Sequence, residues 1–143
     1  MTENTGGKHG SAPGSRGRTT IADVVVEKIA GMAARDVPGV HALGSGFARS
    51  MGSMRERIPG AGSGRSVTRG VSVEVGEVQA AIDLEIVVDY GVSITDVASD
   101  VRENVISAVE RMAGLEVVEV NIAVSDVKLP DEEDEEEERQ RVQ

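Results

Sequence analysis

Residues 79–130 read QAAIDLEIVVDYGVSITDVASDVRENVISAVERMAGLEVVEVNIAVSDVKLP. This stretch decides the fold because its hydrophobic period changes twice. From Ala80 to Tyr90 the even positions are Ala80, Ile82, Leu84, Ile86, Val88 and Tyr90, while the odd ones include Asp83, Glu85 and Asp89. A period of two belongs to a strand with one buried face. After Tyr90-Gly91 the residues Val97, Val101, Val105, Ala108 and Met112 recur three or four apart, which puts them on one face of a helix. Ser93 is the expected N-cap, accepting the amide of Asp96. Asp96 suits the positive end of the helix dipole, and Val92 is placed to staple onto Val97. Gly114 is expected to end the helix at positive φ, with Leu115 folding back onto Val109. A second strand follows, with Val118, Val120, Ile122 and Val124 expected inward and Glu119, Asn121 and Ser125 outward. The stretch reads as one strand-helix-strand unit.

Upstream, Val71, Val73 and Val75 alternate with Ser72 and Glu74, and Gly76-Glu77 precedes Val78. Glycine first in a two-residue connection suits a type II′ turn, so an antiparallel hairpin is expected here. Earlier still, Thr20 and Asp23 form a capping pair. They open a helix with Ile21, Val25, Ile29 and Met32 on its apolar face, closed by Val37-Pro38-Gly39. Val40-His41-Ala42-Leu43 then makes a short strand. The expected fold is α+β: a two-layer sandwich with two amphipathic helices on one face of a three- to four-stranded, mainly antiparallel sheet, in the order α-β-β-β-α-β. The other face would present Asp83, Glu85, Asp89 and Glu119 to water or to a partner.

Three segments differ in composition from this domain of residues 20–129. Residues 1–19 are Gly, Ser, Thr and scattered bases, expected to be a disordered arm. Residues 44–69, GSGFARSMGSMRERIPGAGSGRSVTR, carry Arg49, Arg55, Arg57, Arg65 and Arg69 against the single acid Glu56. The local charge is about +4. Such a long Gly-rich stretch is either a solvated insertion or a contact surface for an acidic partner or anionic lipid head groups. Phe47, Met51 and Met54 could add a small amphipathic turn to such a contact. Residues 130–143 contain eight consecutive acids, expected to be a disordered, solubilising tail.

Composition narrows the chemistry. Setting the biased segments aside leaves about 84 residues, enough for one small core. A domain of that size hides roughly 60–65% of its unfolded surface and gains from association with other copies. With one Phe, one Tyr and no Trp, the chain lacks the aromatic platforms on which bases or sugar rings stack. With no cysteine, it has no disulfide, thiolate metal site or cysteine nucleophile. A net charge of −10 opposes general nucleic-acid binding. Neither a membrane span nor a secretory signal is visible, so a cytoplasmic protein is the expectation. The carboxylates Asp83, Glu85 and Asp89 share one side of a strand, where a catalytic pair or divalent-metal site is conceivable, but no histidine or lysine is positioned to complete an acid-base set. His9 and His41 are isolated from one another. No Gly-x-Ser-x-Gly elbow and no P-loop lysine is present. No cofactor, metal or catalytic residue is therefore expected. The residues singled out are the possible interaction set Arg49, Arg55, Arg57, Arg65, Arg69, Asp83, Glu85 and Asp89.

The order of several short motifs resembles one family. They are Ile21-Ala22-Asp23-Val24-Val25, Ile29-Ala30-Gly31-Met32-Ala33, Val37-Pro38-Gly39-Val40, Gly70-Val71-Ser72-Val73, Val88-Asp89-Tyr90-Gly91, and Met112-Ala113-Gly114-Leu115 through Val120-Asn121-Ile122-Ala123-Val124. Their order over residues 20–129 is similar to that of the alkaline shock protein family, also called the Gls or envelope stress response family. The resemblance implies a non-enzymatic cytoplasmic protein of envelope or alkaline stress. It implies that some members gather at the inner face of the membrane through a small membrane-anchored partner. Together with the missing chemistry and the small aliphatic domain, the expectation is a scaffold that self-associates as a homo-oligomer or docks onto such a partner. The resemblance supplies no active site. The runner-up from another class is a nucleic-acid-associated regulator using the Arg/Gly-rich loop, opposed by the acidic total and the missing aromatics.

Overall fold

The computed structural model of the chain describes residues 12–44 and 68–132. A short 3-10 turn at Pro13–Ser15 precedes helix α1 (Asp23–Arg35), strands β1 (Val40–Leu43), β2 (Val71–Val75) and β3 (Gln79–Asp89), helix α2 (Ile94–Ala113) and strand β4 (Glu116–Lys128). The fold is the α+β sandwich expected from the sequence, in the same order of elements. Most of residues 1–19, the insertion from 45 to 67 and the tail beyond 132 lie outside the described residues.

Strand β3 is the centre of the sheet. Along one edge it pairs in parallel with β4 from Gln79↔Glu116 to Asp89↔Lys128. Parallel pairing needs a crossover, and α2 supplies it. Its 20 residues span about 30 Å, close to the ~36 Å of the strand it must pass. Along its other edge β3 pairs antiparallel with β1 and β2 end to end. Leu43 opposes Ile86 and Val71 opposes Leu84. Between them, Gly44 donates its amide to the Glu85 carbonyl at 2.6 Å, and the Gly70 carbonyl accepts the Glu85 amide at 2.8 Å. One register position opposite Glu85 is thus shared by two glycines, and β1 and β2 are two halves of one interrupted strand.

The helices cover one face. Val26, Ala30, Ile82, Ile86, Val88, Val101, Val105 and Val109 are fully buried between the layers, and no polar side chain is buried among the described residues. The ends of α2 are built as expected. Ser93 Oγ accepts the Asp96 amide at 3.4 Å, and Gly114 takes φ 72° while donating to Glu110 O. Val92 and Val97 both crowd Gly39: a Cβ there would stand 3.5 and 2.7 Å from them.

Four local expectations are corrected. Helix α1 starts later than the Thr20-Asp23 pair requires, with Ala22 at the N-cap and no side-chain bond. Its core stripe is Val26, Ala30, Gly31, Ala33 and Ala34, while Val25 and Met32 are exposed. Small residues let α1 approach closely, and Asn104 Nδ2 reaches Ala33 O at 2.7 Å. On α2 the stripe ends in Val109, leaving Met112 exposed, and Tyr90 is exposed beyond β3. The hairpin closes one residue later than expected. Gly76 donates to Gln79 O at 2.7 Å, so Glu77 and Val78 are the central residues and Gly76 has no positive φ.

Strand β4 holds the fourth correction. Ala80↔Val117 is followed by Ala81↔Glu119, and Ile86↔Val124 by Val87↔Asp126. Each step inserts an extra residue, a β-bulge, at Val118 and at Ser125. The bulge turns Val118 out, 51% exposed, and turns Val117 in, 8% exposed. Strict alternation predicts the reverse.

Candidate interaction surface

The sheet face away from the helices is built by strand alternation. Its rungs are Glu74, Ala81 and Glu119; then Ser72, Asp83 and Asn121; then Glu85 beside Ala123. Asp83, Glu119 and Asn121 are exposed, and Glu85 and Asp89 are half-buried. Asn121 Nδ2 donates to Asp83 Oδ1 and to Glu119 Oε2, both at 3.0 Å. One neutral amide therefore holds two like charges side by side across neighbouring strands. His41 Nδ1 lies 3.4 Å from Asp89 Oδ1, and Gln79 Nε2 reaches Glu116 Oε1 at 3.2 Å. Val87 is the exception on this face, 1% exposed and outside the core cluster between the layers.

Asp83, Glu85 and Asp89 come together on this face as the alternation implies. They do not converge on a common point, and no group of metal-ligating side chains is found among the described residues. Arg49, Arg55, Arg57 and Arg65 lie outside the described residues. Arg69 is half-buried in the turn leading into β2, next to the Gly70 that binds Glu85. The two ends of the basic insertion thus leave the sheet beside one of the carboxylates. The contacts of Asn121 and His41 are not legible in the sequence, because they depend on which residue each strand sets beside them.

A second feature is the outer edge of β4. Glu116 donates its amide to Val78 O and the Lys128 carbonyl accepts from Tyr90 N, so these residues turn their main-chain groups toward β3. With alternation and the two bulges, Val117, Val120, Ile122, Val124 and Val127 turn theirs away. Side chains meet this edge at three places. Glu110 Oε2 accepts the Val117 amide at 3.0 Å, Arg102 Nε donates to Val120 O at 3.1 Å, and Asp126 Oδ1 accepts the Val127 amide at 2.8 Å. Elsewhere, an open groove of about 620 Å³ between the end of α1 and α2 is lined by Asp36, Val37, Pro38, Asp100, Glu103, Asn104 and Ser107. Its lining holds no basic side chain to partner the carboxylates. No helix among the described residues is long and apolar enough to cross a membrane.

Comparison with known proteins places these features in a family. Residues 11–129 match the family described as "Asp23 family, cell envelope-related function", a family name unconnected with residue Asp23 of this chain. The chain is 35% identical over 117 residues to the "Stress response regulator gls24 homolog" of Streptococcus pyogenes serotype M3, covering 82% of this chain and 62% of that protein. It is 34% identical over 113 residues to the uncharacterized protein YqhY of Bacillus subtilis, covering 79% of this chain and 78% of that one. To YloU of the same organism it is 31% identical over 113 residues, covering 79% and 90%. No solved structure matches. The chain spans about 62% of the length of the streptococcal relatives. With the whole sandwich inside the matched region, the chain belongs to the Asp23, or alkaline shock protein, family, whose function is related to the cell envelope and stress.

Proposed function

We propose that this protein is a non-enzymatic scaffold of the envelope stress response, which self-associates or docks onto a small membrane-anchored protein through its ordered domain. The observation that carries this reading is the sheet itself. Helices cover one of its faces, while the other presents a ladder of carboxylates, Glu74, Asp83, Glu85, Asp89 and Glu119. A surface of that kind favours a basic partner segment and steers its approach. The basic insertion and the acidic tail would modulate that contact, each reaching only about 8 Å through physiological salt. A small aliphatic core also gains stability from any association that covers more of its surface.

The test is capture from the membrane fraction of source cells. The parent chain should retain a membrane-anchored protein or further copies of itself. The triple reversal Asp83→Lys, Glu85→Lys and Asp89→Lys should lose the anchored protein while keeping its far-UV spectrum. Retention of neither by a folded parent chain would overturn the reading. The regulator alternative, with nucleic acid bound through the Arg/Gly-rich loop, has no basic face among the described strands to extend it.

A further inference from the structure

We propose that two copies of this chain join β4 to β4, antiparallel, about a two-fold axis through Ile122, merging their sheets into one. This rests on the self-association just proposed and names its surface. The outer edge of β4 is long, and the unpaired amides and carbonyls of such an edge are a template for another strand. The side chains of Glu110 and Asp126 meet it near its ends, at the Val117 and Val127 amides, and Arg102 meets it two residues from the centre, at the Val120 carbonyl. Among the described residues, no side-chain bond of this kind meets Ile122 or Val124.

The strand is symmetric about Ile122 in the spacing of its inward residues, in the bulges that set that spacing, and in the charges at its ends. Its inward residues are Val117, Val120, Ile122, Val124 and Val127, spaced identically on either side of the centre. Its bulges at Val118-Glu119 and Ser125-Asp126 fall at mirrored positions. Its one base, Lys128, mirrors Glu116. In a two-fold pairing Ile122 faces its own counterpart, and Val120 faces the partner's Val124. Both pairs turn amide and carbonyl toward the seam, so they exchange main-chain bonds in both directions. The Val120 carbonyl has a second lone pair for the partner's amide beside Arg102. The bulges lie opposite one another, so the kink they impose is shared by both strands. Glu116 stands opposite the partner's Lys128 and Glu119 opposite the partner's Ser125, and no two acids are directly opposed. A centre at Val120 or Val124 would set each bulge against regular strand. Because the axis is normal to the sheet, both helical layers lie on the same side and both carboxylate ladders form one surface on the other.

Sedimentation velocity and cysteine pairing test the seam. The full chain has no cysteine, and Asn121 and Ala123 form the non-hydrogen-bonded pair across the axis, close enough for a disulfide. A mixture of Asn121→Cys and Ala123→Cys chains should form a linked dimer under mild oxidation well ahead of either variant alone. Val124→Pro removes an amide that faces the seam and not β3, so the intramolecular ladder survives. Its self-association should weaken at least about tenfold. Should that variant lose its far-UV spectrum, the cysteine mixture decides alone. A parent that associates while the mixture links no faster than the single variants, or while a folded Val124→Pro associates equally well, would overturn this seam and leave self-association standing. A parent that stays monomeric at hundreds of micromolar would overturn both.

Discussion

At Gly70 a side chain has nowhere to go. The residue sits at φ 78°, and an added Cβ would lie 2.7 Å from Gly44 Cα and 2.9 Å from Glu85 O, all of it backbone that cannot rotate aside. Gly91, at φ 102°, has open space around the same point. Both Ala variants bear the left-handed strain of about 1 kcal/mol, but Gly70→Ala must also push the abutting ends of β1 and β2 apart. It should cost about 2–4 kcal/mol in urea unfolding against about 1 for Gly91→Ala. Equal losses would show that the strand ends do not abut at Gly44 and Gly70. In the core, Val101 is fully buried and Val120 is 4% exposed. Asp at either position leaves a carboxylate without a partner, and a loss of several kcal/mol in the same assay is expected. Both valines were legible in the sequence, because they lie on apolar faces that survive any small slip. Val117 and Val26 were not. A bulge moves the first across the sheet, and the second is chosen over Val25 by the alanines beside it, which bring the helix close.

Helix ends are the elements read most completely from sequence, but only where the cap is local. Ser93→Ala removes a bond to Asp96 that the structure contains and should cost about 1 kcal/mol. Thr20→Ala should cost almost nothing, because α1 begins beyond it with Ala22 as its cap residue. Thermal melting of the pair checks both, and equal shifts would contradict the assigned start of α1. The joined edge of β1 and β2 lay beyond sequence reading. Val40–Leu43 and Val71–Val75 each show a short strand, but only their common partner β3 reveals that they continue one another. Leu43 opposes Ile86 and Val71 opposes Leu84, so one residue suffices opposite Glu85. Deleting residues 45–70 and retaining Gly44 should therefore give a continuous in-register strand. The shortened chain should keep its far-UV spectrum and gain about 1–3 kcal/mol from the lost loop closure. Unfolding of that variant would refute the interrupted strand.

For the whole molecule, charge and cover are the features on which the proposed scaffold role rests. The carboxylate ladder was legible as alternation, whereas its Asn121 clamp and the symmetric edge of β4 required the register. One face is closed by helices, one is acidic, and the edge of β4 is patterned symmetrically about Ile122. Such a body is suited to making contacts, and these contacts should respond to salt. Reversing Arg49, Arg55, Arg57, Arg65 and Arg69 to Glu should abolish co-pelleting with anionic vesicles at low salt and leave the melting temperature of the sandwich within a few degrees. Retained pelleting would exclude the insertion as the contact. The most direct measurement of the scaffold claim is sedimentation velocity of the full chain from micromolar to hundreds of micromolar, at low and physiological salt, with and without vesicles. The scaffold account predicts an average mass that rises with concentration. A single monomeric boundary throughout, with nothing carried by the vesicles, would contradict it.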